Sequence, residues 1–239
     1  DGLNEGIIIG TKSFQTRSVT EPLTEAVVRG PREGFIENLN TNITLIRRKI
    51  RNQNLTFETF KVGYRTRTDV CIDYLKGVAD PSIVEEVKKR VKKINTDSVL
   101  ESGYIEQFIE DNPLSPFSTV AYTEKPDIAA AKLLEGRVAI LVDGTPFVLT
   151  VPMLFIESFQ SPEDYYSRPY YASLLRIIRF IAFMITILAP AIYVALTTFH
   201  QELIPTPLLI TMIAAKEGTP FPARVEALVM GLVYEILRE

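Results

Sequence analysis

The sequence predicts an α/β fold: a soluble domain with a mixed sheet and interleaved helices, followed by membrane helices. Three observations carry this. Short β-branched and alternating segments recur between segments whose apolar residues fall at helical spacing, as expected of helices packed on a sheet. A hairpin is written around Asp143-Gly144. Behind these, Phe180 to Phe199 runs twenty residues without a charge, about 30 Å as a helix and the thickness of a bilayer's hydrocarbon core.

In chain order, Ile7-Ile8-Ile9 before Gly10 reads as a short buried strand, and residues 20–34, with Pro22, Gly30, Pro31 and Gly34, read as a loop. Ile36, Leu39, Ile43, Ile46 and Ile50 then fall at helical spacing, and Arg47, Arg48, Lys49 and Arg51 crowd the C-terminal turn. Cations there complement the helix dipole, which accounts for them more simply than a nucleic-acid or phospholipid patch. Phe57 to Leu75 is strand-like, with Val70, Ile72 and Tyr74 alternating against Cys71, Asp73 and Leu75. Gly63 or the stretch Arg65-Thr66-Arg67-Thr68 divides it into two strands.

Asp80-Pro81 opens a helix as N-cap and first-turn proline. Its apolar stripe is Ile83 or Val84, then Val87, Val91 and Ile94, and Lys88, Lys89, Arg90, Lys92 and Lys93 form a solvated face. Further helices are expected over Ser102–Asp111, stopped by Asn112-Pro113, and over Asp127–Glu135 with an apolar face of Ile128, Ala131 and Leu134. Val120–Thr123 is a strand. Arg137–Val142 and Phe147–Val151 flank Asp143-Gly144-Thr145-Pro146, where Asp-Gly suits a type I′ turn.

The apolar run is neither N-terminal, as a signal peptide would be, nor amphipathic, as a core helix would be. Arg168, Arg176 and Arg179 crowd its near side and His200 and Glu202 its far side, so the soluble part is expected in the cytoplasm. Arg179 lies in the first turn of the span and can snorkel to the headgroups. Pro190 interrupts the backbone ladder in mid-span; the resulting kink either serves gating or is covered by a neighbouring helix. Leu203–Ala215 is too short to cross and is broken by Pro205 and Pro207, which fits a re-entrant or interfacial segment. In the helical segment 221–239, Arg224, Glu235 and Arg238 share one face, while Glu226 points into the apolar side. There it either marks an interhelical contact or aqueous path, or is solvated at the interface. The expected organisation is therefore a domain over 1–160, a pre-membrane linker over 161–176, a span over 177–199, the short segment 203–215 and a further helix from 221.

The net charge of −3 implies neither nucleic acid nor an acidic tail, and the lone Cys71 suits a reducing compartment and a buried site. There is one histidine, His200, and no HExxH, CxxC, Walker, GxGxxG or GxSxG pattern, so no catalytic, cofactor or metal site is expected. Gly30-Pro31-Arg32-Glu33-Gly34 reads as a structured turn rather than an anion cradle. A membrane-anchored enzyme using dispersed acids such as Asp73 and Asp143 is disfavoured because no nucleophile is paired with a base. The chain opens at Asp1 without Met and stops at Glu239 inside a helix, so a fragment is expected.

A series of segments completes the reading. It comprises Gly30-Pro31-Arg32-Glu33-Gly34-Phe35; Asn42 with Leu45-Ile46-Arg47-Arg48; and Thr123-Glu124-Lys125-Pro126-Asp127. It continues through Glu135-Gly136-Arg137-Val138-Ala139-Ile140, Asp143-Gly144-Thr145-Pro146, Glu163-Asp164-Tyr165-Tyr166, Pro190-Ala191-Ile192-Tyr193-Val194-Ala195, Pro220-Phe221-Pro222 and Glu235-Ile236-Leu237-Arg238-Glu239. In this order the series resembles the A subunits of the spore germinant receptors of endospore-forming bacteria, with Lys125 where the family's pattern has arginine. The resemblance implies a non-enzymatic subunit in the spore's inner membrane, working with a transporter-like B subunit and a lipoprotein C subunit. It further implies a homo-oligomer of A subunits forming a nutrient-gated ion channel that triggers germination. The alternative is a non-conducting transporter subunit or scaffold whose cytoplasmic domain docks partners. The resemblance transfers no ligand contacts.

Overall fold

The computed structural model describes residues 17–22, 24–112, 115–216 and 222–238. The strand expected at Ile7–Ile9 lies outside them, as do Pro113, Phe221 and the side chain of Arg224. The chain forms two compact units, Asp1–Arg168 and Pro169–Glu239.

The first unit holds one five-stranded sheet in the order β1-β2-β4-β5-β3, with β1 Leu55–Val62, β2 Thr68–Leu75, β3 Ala121–Thr123, β4 Val138–Val142 and β5 Val148–Val151. The expected α/β alternation holds, with every pairing antiparallel instead of mixed. Two hairpins, β1–β2 and β4–β5, lie side by side, and β2 meets β4 with Val70 opposite Val142 and Asp73 opposite Ala139.

Both faces are covered, so the central strands are apolar on both sides. On β2 and β4, Val70, Ile72, Tyr74, Val138, Ile140 and Val142 enter one core with α2 (Pro81–Lys93) and α3 (Ser102–Ile109). The alternate residues Cys71, Ala139 and Leu141 enter a second core with α1 (Leu39–Lys49) and α4 (Pro126–Leu134). This is the period-2 consequence of a pleated strand between two helical layers.

Local chemistry sets the helix ends. Asn38 caps α1, its side chain accepting from Thr41 N at 3.0 Å, so the helix begins at Leu39 and Ile36 precedes it. Asp80 caps α2 through Ser82 N at 2.8 Å with Pro81 in the first turn, and Val84, not Ile83, is the buried residue of the stripe. The face expected of α4 is wrong: Ala129, Ala130 and Leu133 are buried and Leu134 is exposed. The segment is apolar nearly all round, so spacing alone does not select a face, and the small Ala129 and Ala130 permit the closest approach to the sheet. The expected type I′ turn is also corrected. Gly144 has φ +94°, but Asp143 is not at positive φ, and the loop runs to Phe147. Asp143 is held elsewhere, as described below.

Ahead of the second unit, Phe155–Phe159 forms a 3-10 turn and Glu163–Tyr166 a short helix, α5. The second unit contains α6 (Pro169–Thr198), α7 (Thr206–Lys216) and α8 (Ala223–Arg238). Among the described residues α6 is the one helix long and apolar enough to cross a membrane. It continues through Pro190, and α8 packs along it.

Candidate functional site

The segments singled out between Gly30 and Tyr166 lie within the first unit, where their side chains meet. The N-terminus of α1 is their junction. Asp143 Oδ1 accepts from Leu39 N at 3.1 Å, adding a second cap from 104 residues away. Gly144 N donates to Glu37 O at 2.8 Å, and Asp143 N to Asp69 O at 2.9 Å. Asn42, 1 % exposed, closes the preceding turn: its Oδ1 accepts from Ile36 N at 2.9 Å and its Nδ2 donates to Ile36 O at 2.5 Å. Thr145 Oγ1 donates to Glu101 Oε1 at 3.1 Å, and Glu101 in turn caps α3 through Gly103 N at 2.6 Å. The β4–β5 loop therefore pins helices on both faces of the sheet.

Beside it, Thr123-Glu124-Lys125-Pro126-Asp127 locks against the loop 24–35. Phe35 N donates to Glu124 O at 2.7 Å, and Thr24 Oγ1 to Glu124 Oε1 at 2.9 Å. Glu25 Oε2 accepts from Thr123 Oγ1 at 2.7 Å and from Glu124 N at 2.9 Å. Burial pushes the Glu25 carboxyl above its ordinary range, against the pull of those two bonds. Lys125 is fully buried and its Nζ donates to Pro31 O at 2.9 Å, and its charge lowers the Glu25 and Asp127 carboxyls against the larger effect of their burial. Asp127, in the first turn of α4, is likewise raised by burial, and among the described residues both its carboxylate oxygens lack a hydrogen-bond partner. The Glu163-Asp164-Tyr165-Tyr166 segment joins the same loop. Glu163 Oε1 accepts from Val28 N at 2.7 Å, and the Tyr166 ring lies 2.8 Å from where a Cβ on Gly30 (φ +149°) would sit.

A second cluster ties the sheet to the segment leading toward α6. Glu157, in the 3-10 turn, receives Lys132 Nζ of α4 at 2.9 Å and Arg137 Nη2, just ahead of β4, at 2.5 Å. Its side chain is 9 % exposed, against 15 % for Lys132 and 12 % for Arg137. Arg137 also pairs with Glu135 at 3.4 Å and donates to Pro152 O, and Leu154 N donates to Glu157 Oε1 at 3.0 Å. Burial alone would raise the Glu157 carboxyl. The bonds from Lys132 and Leu154 N and the charges of Lys132 and Arg137 outweigh it and hold the group below its ordinary range.

The carboxylates of Glu25, Glu124 and Glu157 are occupied by hydroxyl groups, backbone N–H groups and cations, an arrangement that holds elements together. Among the described residues no group of three or more His, Cys, Asp or Glu is placed to hold a metal ion. Asp73 is fully buried on β2, accepting from Cys71 Sγ at 3.1 Å, and burial raises its carboxyl and the Cys71 thiol alike. Asp143 is the helix cap described above.

Arg179 and Pro190 lie on α6, eleven residues and about 16 Å apart along its axis. Arg179 is half-buried and Pro190 exposed. Pro190 has no N–H for the carbonyl of Thr186. Glu226 sits in the first turn of α8, half-buried, with Oε2 shielded from solvent and lacking a hydrogen-bond partner among the described residues. Glu235 pairs with Arg238 at 2.8 Å. Sequence reasoning missed Lys132 and Glu157 altogether. The only local trace of Glu157 is an acidic residue three positions after Leu154, where it accepts from the N–H that opens the turn.

Fold and site together define an α/β unit clasped to the segment that precedes a membrane-length helix. The family model described as "Bacillus/Clostridium GerA spore germination protein" matches residues 1–239, and the chain belongs to that family. It is similar to spore germination protein KA of Bacillus subtilis, with 54 % identity over 239 residues, 100 % of this chain and 44 % of that protein. It is also similar to the membrane protein YfkQ of Bacillus subtilis, with 49 % identity over 239 residues, 100 % of this chain and 47 % of that protein. The chain thus spans about half the length of the curated relatives it matches. The crystal structure of the N-terminal domain of the A subunit of the Bacillus megaterium spore germinant receptor GerK3 aligns with 50 % identity and a TM-score of 0.42. It covers 51 % of this chain and 97 % of that one.

Proposed function

We propose that this chain is part of the A subunit of a nutrient-sensing spore germinant receptor. In this reading the α/β unit conveys a change of state to membrane helices that contribute to an oligomeric, ligand-gated ion channel. The observation that carries it is the Glu157 cluster. Buried ion pairs hold α4 and the start of β4 to a turn that ends ten residues ahead of α6. A shift of α4 against the sheet therefore pulls on the segment leading to the helix instead of being absorbed by a slack linker. Family membership and the naming of YfkQ as a membrane protein support the reading.

The subunit acts without catalysis or cofactor, in the spore's inner membrane, with residues 1–160 in the cytoplasm, 161–176 leading to the bilayer and 177–199 spanning it. Residues 203–215 are re-entrant or interfacial, and a further helix starts from 221. Arg179 anchors the span at the headgroups, Pro190 supplies a bend, and Glu226 meets a partner helix or an aqueous path. A transporter-like B subunit, a lipoprotein C subunit and further A subunits complete the receptor. Single-channel recording of the full-length protein in liposomes tests it. Discrete conductance steps that Pro190 and Glu226 substitutions alter are expected. An assembled but silent complex would make this a docking scaffold.

A further inference from the structure

The first unit carries an exposed apolar patch that none of the clusters above uses. Leu154, Phe155 and Ile156 are 54 %, 52 % and 52 % exposed, and Phe117, from the loop before β3, is 62 % exposed. The Phe117 and Phe155 rings meet edge to face with centroids 5.3 Å apart, and Phe155 meets Phe159 the same way at 5.4 Å. The patch is thus a joined cluster from two segments distant in sequence, and it is held in place from below. Glu157, between these residues, turns inward to Lys132 and Arg137, which fixes the turn with its apolar side chains outward. Contiguous apolar surface of this kind on a folded unit marks a contact site.

Resting on the membrane reading above, we infer that this patch seats in the interfacial layer of the bilayer on the side where α6 begins. The chain's own connectivity selects a lipid surface. Nine residues separate Phe159 from Pro169, four of them helical, and two turns of α6 then lead to Ile177. At about 3.4 Å per extended and 1.5 Å per helical residue, the patch stays within roughly 35 Å of the start of the hydrocarbon. Aromatic and aliphatic side chains on a short rigid turn, beside backbone and polar groups that keep their own partners, suit the headgroup boundary. The patch would then fix the orientation of the turn that the Glu157 cluster clamps, so a pull through the clasp would act against an anchored point.

The chain contains no tryptophan, so one introduced residue reports alone. The full chain is reconstituted in phosphatidylcholine–phosphatidylglycerol vesicles whose acyl chains carry bromine at a shallow or a deep position. Phe155→Trp reports the patch, Phe117→Trp reports it from the other segment, and Leu188→Trp in mid-α6 reports the span. The inference expects Phe155→Trp and Phe117→Trp to lose most emission with shallow bromines, and Leu188→Trp with deep ones. Quenching at Leu188→Trp alone, with blue-shifted but unquenched emission from the patch, means that protein covers it and overturns the inference while the membrane reading stands. Water-like emission from the patch overturns it equally. No quenching at any of the three positions removes the membrane reading and this inference together.

Discussion

Glu157→Gln is the perturbation that most directly tests the clasp. The amide keeps an oxygen for Leu154 N but loses the charge facing Lys132 and Arg137, all three side chains being 15 % exposed or less. Removing one partner from a buried pair costs about 3–5 kcal/mol, and the little solvent left at Lys132 and Arg137 selects the lower end, about 3 kcal/mol. At 1.4 kcal/mol per factor of ten, this is about a hundredfold in the local opening equilibrium. The assay is amide hydrogen exchange in the full chain, because two compact units make a single global unfolding energy ill-defined. The reporters are the amides of residue 157, bonded to Leu154 O at 2.8 Å, and Gln160, bonded to Glu157 O at 2.9 Å. Adding Lys132→Met should recover part of the loss by removing an unbalanced cation. The depressed carboxyl also sets a sign. Its stabilisation is present above the ordinary carboxylate range and is lost as pH falls through the lowered folded value. The parent turn should therefore loosen below about pH 4, and the Gln variant should not respond. Acceleration of less than about threefold, the scale of a solvent-exposed pair, would refute the reasoning.

Four further outcomes follow from the same structure. Gly144→Val should destabilise the first unit by at least ~1 kcal/mol through backbone strain at φ +94°, since open space around the Cβ position leaves no clash to blame; an unchanged melting curve would contradict it. Asp73 is raised by burial, so its folded state binds a proton more tightly and stability falls as pH rises through the folded value. That decline starts just above the ordinary carboxylate range, and Asp73→Asn should flatten it in a pH series of unfolding midpoints; an unaltered slope would count against it. Glu226→Ala should reduce assembled complex on native gels or let ions leak without nutrient, with Arg224→Ala doing less; equivalence of Glu226→Ala to the parent would make α8 an interfacial tether. A cysteine placed at the exposed Lys92 should resist an impermeant reagent in intact cells, and ready labelling would reverse the proposed orientation.

What the sequence determined by itself is local. The alternation of Val70, Ile72 and Tyr74 and the Asp80-Pro81 start of α2 each follow from forces acting within one turn or one strand, and each is where it was expected; the uncharged run from Phe180 is helical, within a helix that begins at Pro169. The family was legible too, because a series of short segments in fixed order is a property of the chain. The pairing of β2 with β4, the buried face of α4, the Asp143 cap on α1 and the closure of Lys132 and Arg137 on Glu157 were decided only by the tertiary structure. Their partners lie 20 to 104 residues apart or offer several equivalent local solutions. Periodicity says which side of an element is apolar. It does not say which other element will cover that side, and a cap or an ion pair forms only once packing has brought its two halves within 3 Å or so of each other.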